Sequence, residues 1–185
     1  GIYNVGGTLT LQNSIISSNK SVTTYTQTGG GVQNAGTCLM RNCLVVENVA
    51  PGSGAGLQGA FSLDNCTLAN NAGQGINGSG SATNSILWGN GDDIVGSVTL
   101  GYSNIEDGDN NTINGCISVD PMFVNTNAAD YHLMQASPCV NSGTNQNWMA
   151  GAVDLEGNRR LISGLVDMGA YETMIMGLGI MVQIQ

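Results

Sequence analysis

Three observations predict an all-β fold of short strands stacked in parallel, a β-helix solenoid of about five coils with a C-terminal cap. A seven-residue pattern recurs along the first half of the chain. Short runs of two-residue alternation precede it, the mark of half-buried strands. Gly and Asn stand where the chain must bend, and no 3.6-residue apolar stripe persists that would argue for helices.

The recurring segments are NSIISSN (Asn13 to Asn19), NCLVVEN (Asn42 to Asn48), NCTLANN (Asn65 to Asn71) and NSILWGN (Asn84 to Asn90). Their starts lie 29, 23 and 19 residues apart (42−13, 65−42, 84−65). Ahead of them stand TLTLQ, TCLMR, AFSLD and, more weakly, GSAT. Gly-containing turns open the first three units at Val5-Gly6-Gly7, Asn34-Ala35-Gly36 and Leu57-Gln58-Gly59. Val98 to Ile105 (VTLGYSNI) reads as a fifth, degenerate unit. The varying period puts long insertions at Tyr25 to Gly31 and Ala50 to Gly56.

Stacking such units aligns equivalent residues in columns. Leu9, Cys38 and Phe61 form one expected core column. Leu11, Met40 and Leu63 form a second, and Ile16, Val45, Leu68 and Leu87 a third. The Asn columns are expected to stabilise bends, since Asn tolerates left-handed backbone and stacked amides bond to one another. Ligand binding is the less favoured reading of the same columns.

From about Gly108 the repeat stops, and 108–173 reads as a capping region over the exposed end of coils 1–107. The apolar tail 174–185 reads as a strand packed on the body, too short to span a bilayer. All three parts belong to one structural domain.

Composition narrows the partners. Only 9% of the 185 residues are charged and 41% are apolar, which argues against disorder. The net charge of −9, with four Lys and Arg in total, disfavours nucleic acid and anionic membranes, whose phosphates need basic residues. No transmembrane span is expected. The chain opens in mid-pattern and is read as the C-terminal part of a longer protein.

Gly-Gly turns with N(S/C)xxxxN coils resemble the coils of polymorphic outer membrane proteins and related right-handed β-helix proteins. The end of the chain is similar to choice-of-anchor Q domain proteins. The motifs that carry this are Asp120-Pro121-Met122-Phe123-Val124, Asp130 to Leu133, Ser137 to Asn141 with Gly143, Asp154 to Arg159, and Val166 to Glu172. The resemblance covers almost the whole chain. It implies a right-handed, pectin-lyase-like parallel β-helix, export to the bacterial cell surface or exterior, and attachment by a variable C-terminal anchor. It implies no established activity, and no recognisable anchor follows Glu172.

Five cysteines show no CxxC spacing, and a single His is too few for a typical zinc site. Cys43 and Cys66 share a column with Ser14 and Ser85 and read as small core fillers. For Cys116 and Cys139, a disulfide and two separate thiols both stay open.

Candidate catalytic residues are Asp92, Asp93 and Glu106, because paired carboxylates serve glycoside hydrolysis when suitably spaced. Asp92-Asp93 superficially resembles the polygalacturonase aspartate pair. That family's Gly-His-Gly and Arg-x-Lys motifs are missing: His132 sits in the cap, Lys20 is the only Lys, and Arg41 is the only basic residue of the central coils. A polar turn is therefore the preferred reading. Calcium is the one cofactor considered, with Asp107, Asp109, Asp154 and Glu156 as candidate ligands in oxygen-rich loops that do not fit EF-hand spacing. Trp88 and Tyr102 are the candidate sugar-stacking residues, with Tyr131 and Trp148 as further aromatics. His132 is expected to pack in the cap, and Arg159-Arg160 to pair with cap carboxylates. The function expected is a non-catalytic surface module for adhesion, spacing or carbohydrate binding, with a polysaccharide or a surface protein as partner. The alternative is a polysaccharide hydrolase or lyase.

Overall fold

A computed structural model describes residues 1–21, 29–50, 54–162 and 164–174, and nearly all of its regular structure is β. The expected tail strand beyond Met174 and much of both long insertions lie outside the described residues. The repeats supply strands β1 (Ile2–Asn4), β2 (Thr8–Gln12), β3 (Ile15–Ser17), β4 (Val32–Arg41), β5 (Leu44–Val46) and β6 (Leu57–Asp64). They continue with β7 (Thr67–Ala69), β8 (Gln74–Thr83), β9 (Ile86–Trp88), β10 (Asp92–Gly101) and β11 (Asn104–Ile105). An antiparallel pair follows, β12 (Phe123–Asn125) and β13 (Asp130–Leu133).

The chain alternates between two parallel sheets. In the first, β1 and β2 both pair with β4, and β6, β8 and β10 follow in order. The second runs β3, β5, β7, β9, β11. The registers reproduce all three expected columns. Leu9 pairs with Cys38 and Cys38 with Phe61; Leu11 pairs with Met40 and Met40 with Leu63. Ile16, Val45, Leu68, Leu87 and then Ile105 are paired in turn, so the fifth unit is real. Residues of both sheets meet in one buried cluster that includes Met40, Val45, Leu63, Leu68 and Leu87.

Each of the first four second-sheet strands begins after a left-handed Asn: Asn13, Asn42, Asn65 and Asn84 have φ between 46° and 51°. Tyr102 takes this place in the fifth unit with φ 47°, a costlier choice because Asn suits left-handed backbone better. Val5-Gly6-Gly7 separates β1 from β2 as expected, but the other two Gly turns come out differently. Asn34 to Gly36 and Gly59 lie inside the continuous strands β4 and β6, as bends rather than separating turns. Gly59, Gly78 and Gly96 are register partners. A Cβ at Gly78 would stand 1.7 Å from the Gly59 carbonyl oxygen, so only glycine lets adjacent backbones close at the bend.

The expectation of a cap over the end of the stack needs correction. Only the segment up to about Val119 extends that end. Ile105 N–H donates to the Ile117 carbonyl, Ile117 N–H to that of Ser103, and Cys116 joins the inner core. From Asp120 onward the chain folds back along the outer face of the second sheet. There Leu44, Val46 and Ala69 pack with Tyr131, Ala170 and Tyr171, while Ile86 packs with Leu133, Cys139 and Met168. The reason is compositional. The second-sheet strands are short and apolar on both faces, so their outer face also needs cover.

All five cysteines are buried free thiols. Cys116 and Cys139 lie in different clusters, which resolves that pair as separate thiols. Cys43 and Cys66 fill the core as expected, both fully buried. No helix among the described residues is long and apolar enough to cross a membrane.

Candidate functional site

A second Asn column ends at the acidic candidates. Asn19, Asn48 and Asn71 each donate Nδ2 to the Oδ1 of the next Asn in the column, at 2.9, 3.0 and 2.9 Å, ending on Asn90. Each of those Oδ1 atoms also accepts the backbone N–H of the preceding Asn, at 3.0 to 3.1 Å. Asn90 then donates Nδ2 to Asp93 Oδ1 at 2.8 Å. Asp93 is 2% exposed, and its Oδ2 accepts the Glu106 backbone N–H at 2.8 Å. Its own N–H donates to Asp107 Oδ2. Burial pushes the Asp93 carboxyl up to about 6; Asn90 pulls it down, and the charge of Asp107 pushes it further up.

Thus Asp93, Glu106 and Asp107 are brought together, but as a knot that closes the ladder. Asp92 is exposed and accepts the Ile94 N–H. Glu106 Oε2 accepts the Gly89 N–H at 2.6 Å. Asp109 is raised by burial and by the charges of Asp107 and Asp92. Among the described residues, none of these carboxylates has an ion-pair partner. No group of three or more His, Cys, Asp or Glu there is placed to hold a metal ion.

The other calcium candidates organise the cap. Asp154 is fully buried. Its Oδ1 accepts the N–H groups of Glu156 and Asn158, and its Oδ2 accepts Asn158 Nδ2 and the Glu172 N–H. Glu156 Oε2 lies 3.1 Å from His132 Nε2, whose Nδ1 lies 2.6 Å from Asp130. Burial lowers the His132 pKa, but the bonds to Asp130 and Glu156 outweigh it and raise it. The imidazole also stacks on Tyr171 at 4.1 Å, which fits the packing role expected of it.

Arg160, fully buried, joins cap to repeats. It donates to Asn42 Oδ1 at 2.9 Å, to Glu172 Oε1 at 2.8 Å and to the Gly169 and Ala170 carbonyls. The pairing with a cap carboxylate is as expected; the reach into the Asn column is not legible from sequence. Burial and the neighbouring Asp167 raise Glu172 to about 8, against the pull of Arg160. The bend column takes further cap contacts: Asn65 donates to the Asp167 carbonyl, and Asn84 both donates to and accepts from Thr144.

Trp88 points outward from the second sheet, half-covered by the cap. With Phe123, Met122, Met134 and Asp120 it lines a pocket of about 430 Å³. Tyr102 is 42% exposed, and its ring lies against the Gly115 backbone. Sequence reasoning singled out Arg41 and Trp148 separately and missed their meeting. The Arg41 guanidinium lies 5.0 Å from the Trp148 ring centroid, beside a cleft of about 290 Å³. Their separation of 107 positions (148−41) leaves no local pattern to read. Compared with protein-family models, with curated proteins and with solved structures, the chain shows no match to any.

Proposed function

We propose that this chain is a module of a right-handed parallel β-helix on the bacterial surface or exterior, of the choice-of-anchor Q and polymorphic outer membrane protein type. In this reading it works without catalysis, as a rigid scaffold for adhesion that binds carbohydrate. One observation carries the proposal. The motif residues Asp154, Asp167 and Glu172, with Arg160 directly after the Asp154 to Arg159 motif, are bound to one another, to cap backbone or to the Asn column. Side chains committed in this way hold a cap in place and are closed to substrate.

The acidic candidates support the same reading. A general acid or base must reach a proton on the substrate. Asp93 faces inward with both oxygens accepting hydrogen bonds. One observation favours the enzyme alternative: a carboxyl held near pH 6 beside Glu106 is the kind of group that active sites use.

The test is product release from a panel of plant, algal and host polysaccharides by the full-length protein, with and without calcium. The expected result is no release above a heat-inactivated control. Release that disappears in Asp93→Asn or Glu106→Gln would make the acidic knot a catalytic site. Surface placement is tested by protease shaving of intact cells, which should remove the protein from them.

A further inference from the structure

The cleft beside Arg41 is built before any ligand arrives. Arg41 Nε donates to Asp64 Oδ2 at 3.1 Å, and Gln146 Nε2 donates to Asp64 Oδ1 at 3.3 Å. Trp148 Nε1 donates to Gln146 Oε1 at 2.9 Å, and the Trp148 ring carries the Arg41 guanidinium. Four side chains from two repeats and the cap therefore form a closed ring of contacts. A site whose side chains are already fixed loses little conformational freedom on binding.

The polar groups left over define the ligand. Among the described residues, Arg41 Nη1 and Nη2, Asn13 Nδ2 and the Gln12 side-chain amide take no hydrogen-bond partner. Gln12 and Asn13 are exposed at the cleft mouth. These are planar groups with fixed donor and acceptor directions, matched to hydroxyls, each of which donates one hydrogen bond and accepts others. Trp148 and Val153 add apolar wall for C–H faces of a ring. The Arg41 charge is already balanced by Asp64, and the chain as a whole carries −9, so nothing here draws an anion. A volume of about 290 Å³ is at the small end for ligand sites, suited to a single ring.

We infer that the cleft formed by Gln12, Asn13, Arg41 and Trp148 binds a neutral hexopyranose unit of a glycan. This rests on the carbohydrate-binding part of the proposed function and gives it a location.

The chain has two tryptophans, Trp148 at this cleft and Trp88 at the pocket under the cap, so fluorescence reports which of these two is used. The full chain is titrated with oligosaccharides built of glucose, mannose or galactose, and separately with uronate oligosaccharides. At least one neutral series should bind and perturb a signal that persists in Trp88→Ala and vanishes in Trp148→Ala. Arg41→Gln should weaken binding about tenfold, the scale of one lost charge-assisted hydrogen bond. Gln12→Ala, at an exposed position outside the core, should weaken it severalfold with an unchanged melting temperature. Neutral-sugar binding that survives Trp148→Ala and Gln12→Ala, or is lost in Trp88→Ala instead, would overturn the location and leave carbohydrate binding standing. Binding of uronates alone would overturn the neutral-ligand inference. No binding to any sugar would remove both this inference and the reading on which it rests.

Discussion

Asn48 shows how one residue type does several jobs in this chain. Fully buried, it donates to Asn71 and to the Ile16 carbonyl, and its Oδ1 takes both the backbone and the side-chain N–H of Asn19. Asn48→Ala therefore strands the backbone and side-chain donors of Asn19 and the Ile16 carbonyl acceptor, at a cost of about 3 kcal/mol, read by urea denaturation. Asn19, at the start of the ladder, should cost less. Asp93 ends the same ladder and gives the chain a pH dependence. Its folded pKa of about 6 lies above the unfolded 3.8. The folded state holds the proton more tightly, so this contribution is fully present below 3.8 and is lost as pH rises through about 6. The change is on the order of 3 kcal/mol, and Asp93→Asn should flatten it. His132, raised above 6.5, likewise stabilises below that value and less above it, while lowered Asp130 loses its contribution only below 3.8. Melting should therefore be higher at pH 5 than at pH 8. The Asn role was readable because its period and its backbone preference point the same way. Asp93 was not: two acids in a Gly-rich turn look the same in sequence whether they face a groove or an amide ladder.

At the scale of the strand, the columns were readable because alternation fixes which side chains share a face. Leu9, Cys38 and Phe61 continue into Gly80 and Val98, a large residue followed by the smallest. A Cβ at Gly80 would lie 1.7 Å from the Phe61 carbonyl oxygen, and Gly80 has φ 138°. Gly80→Ala should therefore destabilise by more than the ordinary cost of about 1 kcal/mol for a misplaced side chain, visible as a lower urea midpoint. Gly59 reads in sequence as a turn, but with its partners Gly78 and Gly96 it forms a strand-interior bend, because a glycine marks a close backbone approach without saying whether pairing continues through it.

For the molecule as a whole, the cap was legible as a change of pattern but its position was not. Its motifs act over long sequence distances: Arg160 reaches Asn42, and Tyr131 bridges Asn70 and Glu47. Removing the buried guanidinium in Arg160→Ala leaves Asn42 Oδ1, Glu172 and the Gly169 and Ala170 carbonyls without their donor and should cost about 3 kcal/mol, measured by denaturation. Because the cap lies along the second sheet, that variant should expose the outer face of β5 and β7 to hydrogen exchange, while β8 and β10 stay protected. A cap seated only on the end of the stack would instead loosen β10 and β11 first. In the proposed function the molecule is a scaffold that holds a glycan without altering it. Incubating the full-length protein with each of a panel of polysaccharides, and following bound fraction and polymer chain length in one sample, is the direct test. The account predicts retention with chain length unchanged. Progressive shortening of the bound polymer would contradict it.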